Sequence, residues 1–294
     1  MLKHPGFVNG VQMQALEQLG QHATLPGLQV CQRIVLFPER YKQVIAAHPE
    51  LRYASLMPWV AGPSWCDLLI GNYILNPDEC LFLAHSLADT LLTMERSGLA
   101  HCDLSSANLI LPGLDGERIG TNRHSVALVD IEQLYAPNLS APLARAMGSL
   151  GYTHTRVSSE QLWSPHADRF PGAILIAELL TRSNSEIQAQ GAGESFFQQQ
   201  QLQQPGPRYD LVRRTLHNQC GPEIAHLFEK AWNSQGLSDC PSFYDWKRSL
   251  PRLSAPVGLR MYGLAPAPDA LILSLIHISE PTRLRRISYA VFCL

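Results

Sequence analysis

Three polar side chains on two short segments have the types and spacing that could support chemistry. Asp103 and Asn108 lie five positions apart in the run HCDLSSAN (101–108), and Asp130 follows the apolar run VALV. Magnesium prefers carboxylate and amide oxygens and usually takes only one or two from the protein, beside phosphate and water. A phosphoryl group in transfer needs metal ions and a positioned nucleophile. The pattern therefore predicts phosphoryl transfer, with Asp103 orienting the acceptor hydroxyl and Asn108 and Asp130 holding the metal.

Two helices are predicted to position these segments. The first spans 77–97, where Asn76 caps the start, Glu79 completes a capping box and Gly98 ends the helix. It leads the chain directly into the first segment. The second spans 167–180 and is apolar on all sides, which predicts a central position in the core.

Asp168 stands in the first turn of the second predicted helix. Its carboxylate can accept backbone N–H bonds, and it also suits the positive end of the helix dipole. We expect Asp168 to hold the loop that carries His101 and Asp103. Replacing it with alanine is therefore expected to destabilise the fold as well as to disable the site.

The combined pattern resembles the protein-kinase-like superfamily, whose catalytic loop reads His-x-Asp-Leu-x-x-x-Asn and whose metal-binding aspartate follows on a short hairpin. The resemblance implies that His101 is a structural residue and that Asp103 is the catalytic base. It makes Asn108 the second metal ligand and Asp130 the principal one. The implied cofactors are ATP and Mg²⁺.

Further segments extend the resemblance from about Leu25 to Leu250. The run GSLGY (148–152) is similar to the Gly-Thr-x-Gly-Tyr that closes a kinase activation segment, and Asp168 stands where the family anchors its catalytic loop. Residues 53–60 resemble the strand and hinge that meet the adenine ring. Met57 and Trp59 are thus the expected cofactor-binding residues, with ordinary core packing as the alternative.

The resemblance implies an α+β protein-kinase-like fold with an incomplete small N-lobe and a mainly helical C-lobe. We expect a partial N-lobe and hinge over 1–60 and a helical C-lobe with the catalytic and metal loops over 61–252. A C-terminal extension would follow over 253–272. The tail 273–294 resembles the translation of a short-read sequencing adapter and is expected to be non-native.

The glycine-rich loop and the strand lysine of a whole kinase are not recognisable. Lys3 precedes anything that resembles a strand, and Glu17 is a weak candidate for the lysine's glutamate partner. We therefore expect an N-terminally truncated, incomplete copy with weak or no activity, because the phosphates would lack their lid and their lysine.

Departures from the family pattern leave alternatives open. Cys102 replaces the arginine that reads a phosphorylated activation loop, Ser105 replaces a lysine near the transferred phosphate, and Ile131-Glu132 replaces Phe-Gly. The favoured interpretation is a serine/threonine-kinase-like phosphotransferase with a protein or small-molecule acceptor. The alternatives are a pseudokinase or nucleotide-binding scaffold, and a small-molecule kinase.

Composition narrows the range of partners. The formal net charge is −2, and no lysine or arginine cluster precedes the tail 273–294, which argues against nucleic acid and against an anionic membrane surface. Seven cysteines without a Cys-x-x-Cys pair predict reduced thiols in the cytoplasm. No apolar run is long enough for a membrane helix, and the first residues lack the pattern of a signal peptide.

The last third of the chain predicts a loop followed by packed helices. Glycines at 191 and 193 and the glutamine-rich run 198–204 favour a surface loop. Leu227, Phe228, Ala231 and Trp232 suit a packed helix, and Phe243, Trp246 and Leu250 suit a final one.

Overall fold

The computed structural model describes residues 2–3, 10–114, 126–142, 147–191 and 193–253, with backbone only at 2–3 and 10–12. Apart from residue 253, the expected C-terminal extension and tail lie outside the described residues. Helices and two small antiparallel sheets make up the described chain, so the α+β class is confirmed. The chain divides into two compact units between Trp59 and Val60, and Thr24–Gln29 belongs to the second.

The first unit contains a three-stranded antiparallel sheet and two helices. Its strands are β1 (Leu2–Lys3), β2 (Ile34–Val35) and β3 (Ser55–Leu56), and its helices are α1 (Gly10–Gln18) and α2 (Lys42–Ala47). β3 is central, with β1 on one side and β2 on the other. The expectation that Lys3 precedes any strand is wrong, since Lys3 lies opposite Ser55. A two-residue strand is too short to show the alternation by which strands are recognised.

A small apolar cluster holds the first unit together. Met13 of α1 packs with Val35 and Phe37, and Tyr53 covers them with its ring edge-on to Phe37 at 6.2 Å. Glu17, also on α1, forms an ion pair with Arg40 at 2.7 Å. The candidate partner of a strand lysine is thus paired with an arginine.

The second unit is mainly helical. Its helices are α3 (Trp65–Ile70), α4 (Pro77–Arg96), α5 (Arg169–Thr181), α6 (Ser185–Ala189), α7 (Pro207–Cys220), α8 (Pro222–Asn233) and α9 (Phe243–Ser249). α5 is buried from Phe170 to Thr181 and packs against α4, α7 and α8. The predicted central helix is therefore confirmed. Among the described residues, no helix is both long and apolar enough to cross a membrane.

Helix α4 begins with the predicted capping box. The Glu79 N–H donates to Asn76 Oδ1 and the Asn76 N–H donates to Glu79 Oε2, both at 2.9 Å. At the other end Gly98 adopts a φ of +70°, a left-handed conformation that glycine reaches without strain. The helix therefore stops where the loop with Asp103 must begin.

A short hairpin brings the two polar segments together. Its strands are β4 (Leu109–Ile110) and β5 (Ala127–Leu128), with Leu109 opposite Leu128. Asn108 directly precedes β4, and Asp130 follows β5 after one residue. Antiparallel pairing therefore places both positions at the same end of the hairpin.

The prediction of a surface loop over the glutamine-rich run is wrong in part. Leu202 and Gln203 are buried. Gln203 Oε1 accepts bonds from the backbone N–H and the hydroxyl of Thr155, at 2.9 and 2.8 Å. The amide is buried because it satisfies backbone polar groups that would otherwise lie unpaired in the interior.

Candidate functional site

Asp168 anchors the candidate catalytic loop from the start of α5. Its two carboxylate oxygens accept the backbone N–H groups of His101 at 2.6 Å and of Cys102 at 2.9 Å. The expectation that Asp168 holds this loop by backbone bonds is confirmed. Burial raises the pKa of Asp168, while the bonds from the two backbone N–H donors act in the opposite direction.

His101 connects the loop to the end of strand β5. Its ring is fully buried, with Nδ1 3.3 Å from the Asp103 N–H and Nε2 2.8 Å from the Val129 carbonyl. An Nδ1 that accepts a bond and an Nε2 that faces a carbonyl define a neutral imidazole with its hydrogen on Nε2. The geometry fits the structural role that the resemblance implies for His101.

Asn108 is tied to both segments. Its side-chain Nδ2 donates to the Asp103 carbonyl at 2.8 Å, and its own carbonyl accepts the Val129 N–H at 3.0 Å. Because the nitrogen end of the amide is bonded to Asp103, the oxygen end is the one that could bind a metal.

Asp130 follows Val129, the residue that both His101 and Asn108 bind. Its backbone is left-handed, with φ 61° and ψ 49°. Cys102, in the other segment, is also left-handed, with φ 62°. Such conformations cost a non-glycine residue about 1 kcal/mol or more and concentrate at functional sites, where the surrounding structure enforces them.

The donor set of Asn108 and Asp130 fits magnesium, since a carboxylate and an amide oxygen are hard ligands. In the part of the chain that the structure describes, no group of three or more histidine, cysteine, aspartate or glutamate side chains could hold a metal ion.

Asp103 faces a small cleft in the second unit. The Ser149 hydroxyl donates to Asp103 Oδ1 at 3.2 Å. The cleft has a volume of about 300 Å³ including its open mouth, and Ser149, Tyr152, His154 and Leu162 contribute to its walls. Asp103 is the one carboxylate among the described residues that line it.

Cys102 is not suited to act as a nucleophile. Burial and the nearby Asp168 charge raise the pKa of its thiol, so the reactive thiolate is disfavoured. Its backbone, rather than its sulfur, contributes to the site, through the N–H that Asp168 binds.

The expected adenine-contacting residues lie in the first unit, directly after β3. Met57 is buried, and Trp59 is 66% exposed. Burial of Met57 agrees with the alternative of ordinary core packing, while the exposed Trp59 ring keeps a free surface for a planar ligand. Their contact with adenine stays a prediction.

Sequence reasoning missed two residues that shape the cleft, Ser149 and Glu178. In the sequence, Ser149 stands out only as part of the run GSLGY (148–152), although a hydroxyl at that position can bond a carboxylate. Glu178, on α5, is buried at 3% exposure within a helix that is otherwise apolar. A lone glutamate in an apolar helix is a signal that could have identified it, because a buried charge requires partners.

No protein-family model matches this chain, and a search of curated proteins found none with significant similarity.

Proposed function

We propose that this protein is an ATP- and Mg²⁺-dependent phosphotransferase of the protein-kinase-like type with weak activity, so that the losses expected below are measured against slow wild-type transfer. The observation that carries the proposal is a hydrogen-bond network next to Asp130. His101 bonds both Asp103 and Val129, and Asn108 bonds the same two residues. This network links Asp103 and Asn108, on one segment, to the residue that precedes Asp130 on the other.

Each residue has a role that follows from its chemistry. Asp103 would orient the acceptor hydroxyl and accept its proton as the new O–P bond forms. Asn108 and Asp130 would hold Mg²⁺, which, when bound, neutralises the charge of the phosphates. His101 and Asp168 would keep Asp103 in place through backbone bonds. ATP supplies the phosphoryl group.

The first unit supports the kinase-like form of the α+β fold. A strand with Lys3 is followed by helix α1 with Glu17, the order in which kinases place their phosphate-binding lysine and its glutamate partner. Strand β3, at the centre of the sheet, is followed by Met57 and Trp59, which are our proposed adenine contacts. Glu17 is bound to Arg40, so its pairing with a lysine would require a rearrangement.

The acceptor is proposed to be a protein or small-molecule hydroxyl. The net charge of −2 gives no support to a nucleic-acid or membrane-surface partner. In the part of the chain that the structure describes, Cys80, Cys102, Cys220 and Cys240 are free thiols, which supports a reducing, cytoplasmic setting.

The test is phosphoryl transfer from labelled ATP by the wild type and by Asp103→Asn and Asp130→Asn. Each substitution preserves shape and removes the charge, and we expect losses of about a hundredfold or more. Asp89→Asn is the matched control, because Asp89 is exposed on α4 and pairs with Lys247. Transfer that survives both site substitutions would refute the assignment.

A nucleotide-binding scaffold is the second candidate. The hydroxyl of Ser105 is buried without a hydrogen-bond partner among the described residues, at the place where kinases carry a lysine. Thermal-shift titration with ATP and Mg²⁺ measures binding separately from turnover. Stabilisation that disappears in Asp130→Asn, with no transfer by the wild type to protein or metabolite, would favour the scaffold.

A further inference from the structure

Glu178 is the acceptor for hydrogen-bond donors from three other elements of the second unit. Oε2 accepts from Trp65 Nε1 at 3.0 Å and from the Tyr152 hydroxyl at 2.8 Å. Oε1 accepts from the Ser195 hydroxyl at 2.7 Å and from the Phe196 N–H at 2.8 Å. Burial raises the pKa of Glu178, while the four donors act in the opposite direction, because each charge-assisted bond offsets part of the desolvation of the carboxylate.

One of these donors belongs to the wall of the cleft beside Asp103. Tyr152 closes the segment 148–152, whose Ser149 bonds Asp103. Burial and the Glu178 charge raise the pKa of Tyr152, which keeps the phenol protonated and able to donate. The carboxylate therefore holds one end of the segment, while Asp103 contacts its middle.

The loop 193–197 extends this connection to the candidate catalytic loop. The Ser106 hydroxyl donates to the Glu194 carbonyl, directly before Ser195. Ser195 also packs against Gly151, where an added Cβ would lie 2.5 Å from the Ser195 Cβ at a φ of +82°. The loop that Glu178 binds thus contacts both the cleft wall and the loop with Asp103.

We infer that Glu178 is a positioning residue for the acceptor: it holds Tyr152 and the 148–152 segment in the place where an acceptor hydroxyl must approach Asp103. The inference rests on the proposed function, since it assigns the cleft to the phosphoryl acceptor. It requires that loosening the segment weakens acceptor use and leaves ATP binding unchanged.

Tyr152→Phe tests the inference because it removes only the hydroxyl. Trp65→Phe is the matched control: it removes a donor to the same oxygen from a residue outside the cleft wall. Glu178→Gln is the stronger variant, because its amide nitrogen would face two donors. All three are compared in the full chain by hydrogen–deuterium exchange over 147–153 and by steady-state transfer to a serine- and threonine-containing peptide library.

We expect Tyr152→Phe to speed exchange over 147–153 and to raise the KM for the best peptide about tenfold, the size of one bond to a charged group. The KM for ATP should not change, and Trp65→Phe should leave the peptide KM near that of the wild type. Equal exchange in the two variants, or faster exchange with an unchanged peptide KM, would overturn the inference.

The exchange measurement separates this inference from the proposed function. The Tyr152 hydroxyl also lies 3.2 Å from the Glu194 carbonyl, so Glu178→Gln is needed to isolate the carboxylate. If Tyr152→Phe and Glu178→Gln both speed exchange and Trp65→Phe does not, the anchoring by Glu178 is supported even where the wild type transfers no phosphate. In that case the assignment of the cleft to a phosphoryl acceptor is overturned together with the proposed function.

Discussion

Helix α5 carries a buried carboxylate towards each end, and the two are satisfied in different ways. Asp168, at the start, accepts backbone N–H groups of the loop with Asp103. Glu178, about 15 Å further along the axis at 1.5 Å per residue, accepts three side-chain donors and one backbone donor. Backbone donors exist at every residue except proline, whereas side-chain donors exist only where the sequence supplies a residue with a polar hydrogen, here tryptophan, tyrosine and serine.

The difference shows that one helix can position two parts of a site that tolerate amino-acid substitution to different degrees. The loop around His101 depends on Asp168 and on its own backbone shape. The cleft wall around Tyr152 depends on the identity of several side chains at once. Substitutions near the Glu178 end would therefore change the cleft wall, and substitutions of Asp168 would release the loop.

Replacing Asp168 with alanine should have the largest effect. Two buried N–H groups would lose their acceptor, at about 1–3 kcal/mol each, so the free energy of unfolding should fall by about 3 kcal/mol or more. Urea denaturation measures the change. Asp168→Asn keeps one acceptor oxygen, so its free energy of unfolding should fall by about half as much. Equal losses in the two variants would show that the backbone N–H bonds are not the source of the stabilisation.

Replacing Glu178 with glutamine should destabilise by about 2 kcal/mol, since one oxygen remains to accept two of the four donors. Glu223→Gln, on the exposed start of α8, is the control and should change stability by about 0.5 kcal/mol or less. A loss larger than that of Asp168→Ala, measured under the same urea conditions, would reverse the ranking of the two ends.

Gly172 lies between the two carboxylates, where α5 packs against α9. A Cβ there would lie 2.6 Å from the Phe243 ring and 3.0 Å from Leu91. Overpacking costs about 1–3 kcal/mol, and the better helix propensity of alanine returns about 1 kcal/mol. We expect Gly172→Ala to lower the unfolding free energy by about 1 kcal/mol, against no loss in Gly193→Ala, whose Cβ meets open space outside any helix. A stabilised Gly172→Ala would show that this interface has room.

His154, in the cleft wall near the Glu178 end, should make stability depend on pH. Burial and the Arg156 charge lower its pKa to about 4, while Asp239 acts in the opposite direction. The unfolded chain, with a pKa near 6.5, then binds more protons than the fold in this window. The stability that neutral His154 contributes is complete above pH 6.5 and is lost as the pH falls towards 4.

The free energy of unfolding, measured by urea denaturation at both pH values, should be roughly 1 kcal/mol lower at pH 5 than at pH 7. His154→Gln should reduce the difference, and His226→Gln, at an exposed position of α8, should not. An unchanged pH dependence in His154→Gln would show that His154 is not the group that titrates.

Elements with local signals could be predicted. The capping box of α4 and the apolar surface of α5 depend on residues within a few positions of one another, so both helices follow from the sequence. The backbone bonds of Asp168 were also predictable, because a carboxylate at the start of a helix readily accepts backbone N–H groups.

Other features could not be predicted because their partners are distant in the chain. Trp65 and Glu178 are separated by 113 positions, and nothing near Glu178 indicates which donors would reach it. In the sequence, Gln203 resembles the other polar residues of a surface run, and only the fold places Thr155 beside it. The pairing of Lys3 with Ser55 is equally non-local, since two residues show no period of their own.

The amino-acid order alone determined which chemical groups are present and where helices α4 and α5 begin and end, since capping and apolar periodicity act over a few residues. The tertiary structure decided which of those groups meet: the neutral form of His101, the orientation of the Asn108 amide and the four donors around Glu178. Hydrogen bonds require both a short distance and a direction, and for groups far apart in the chain only packing supplies these.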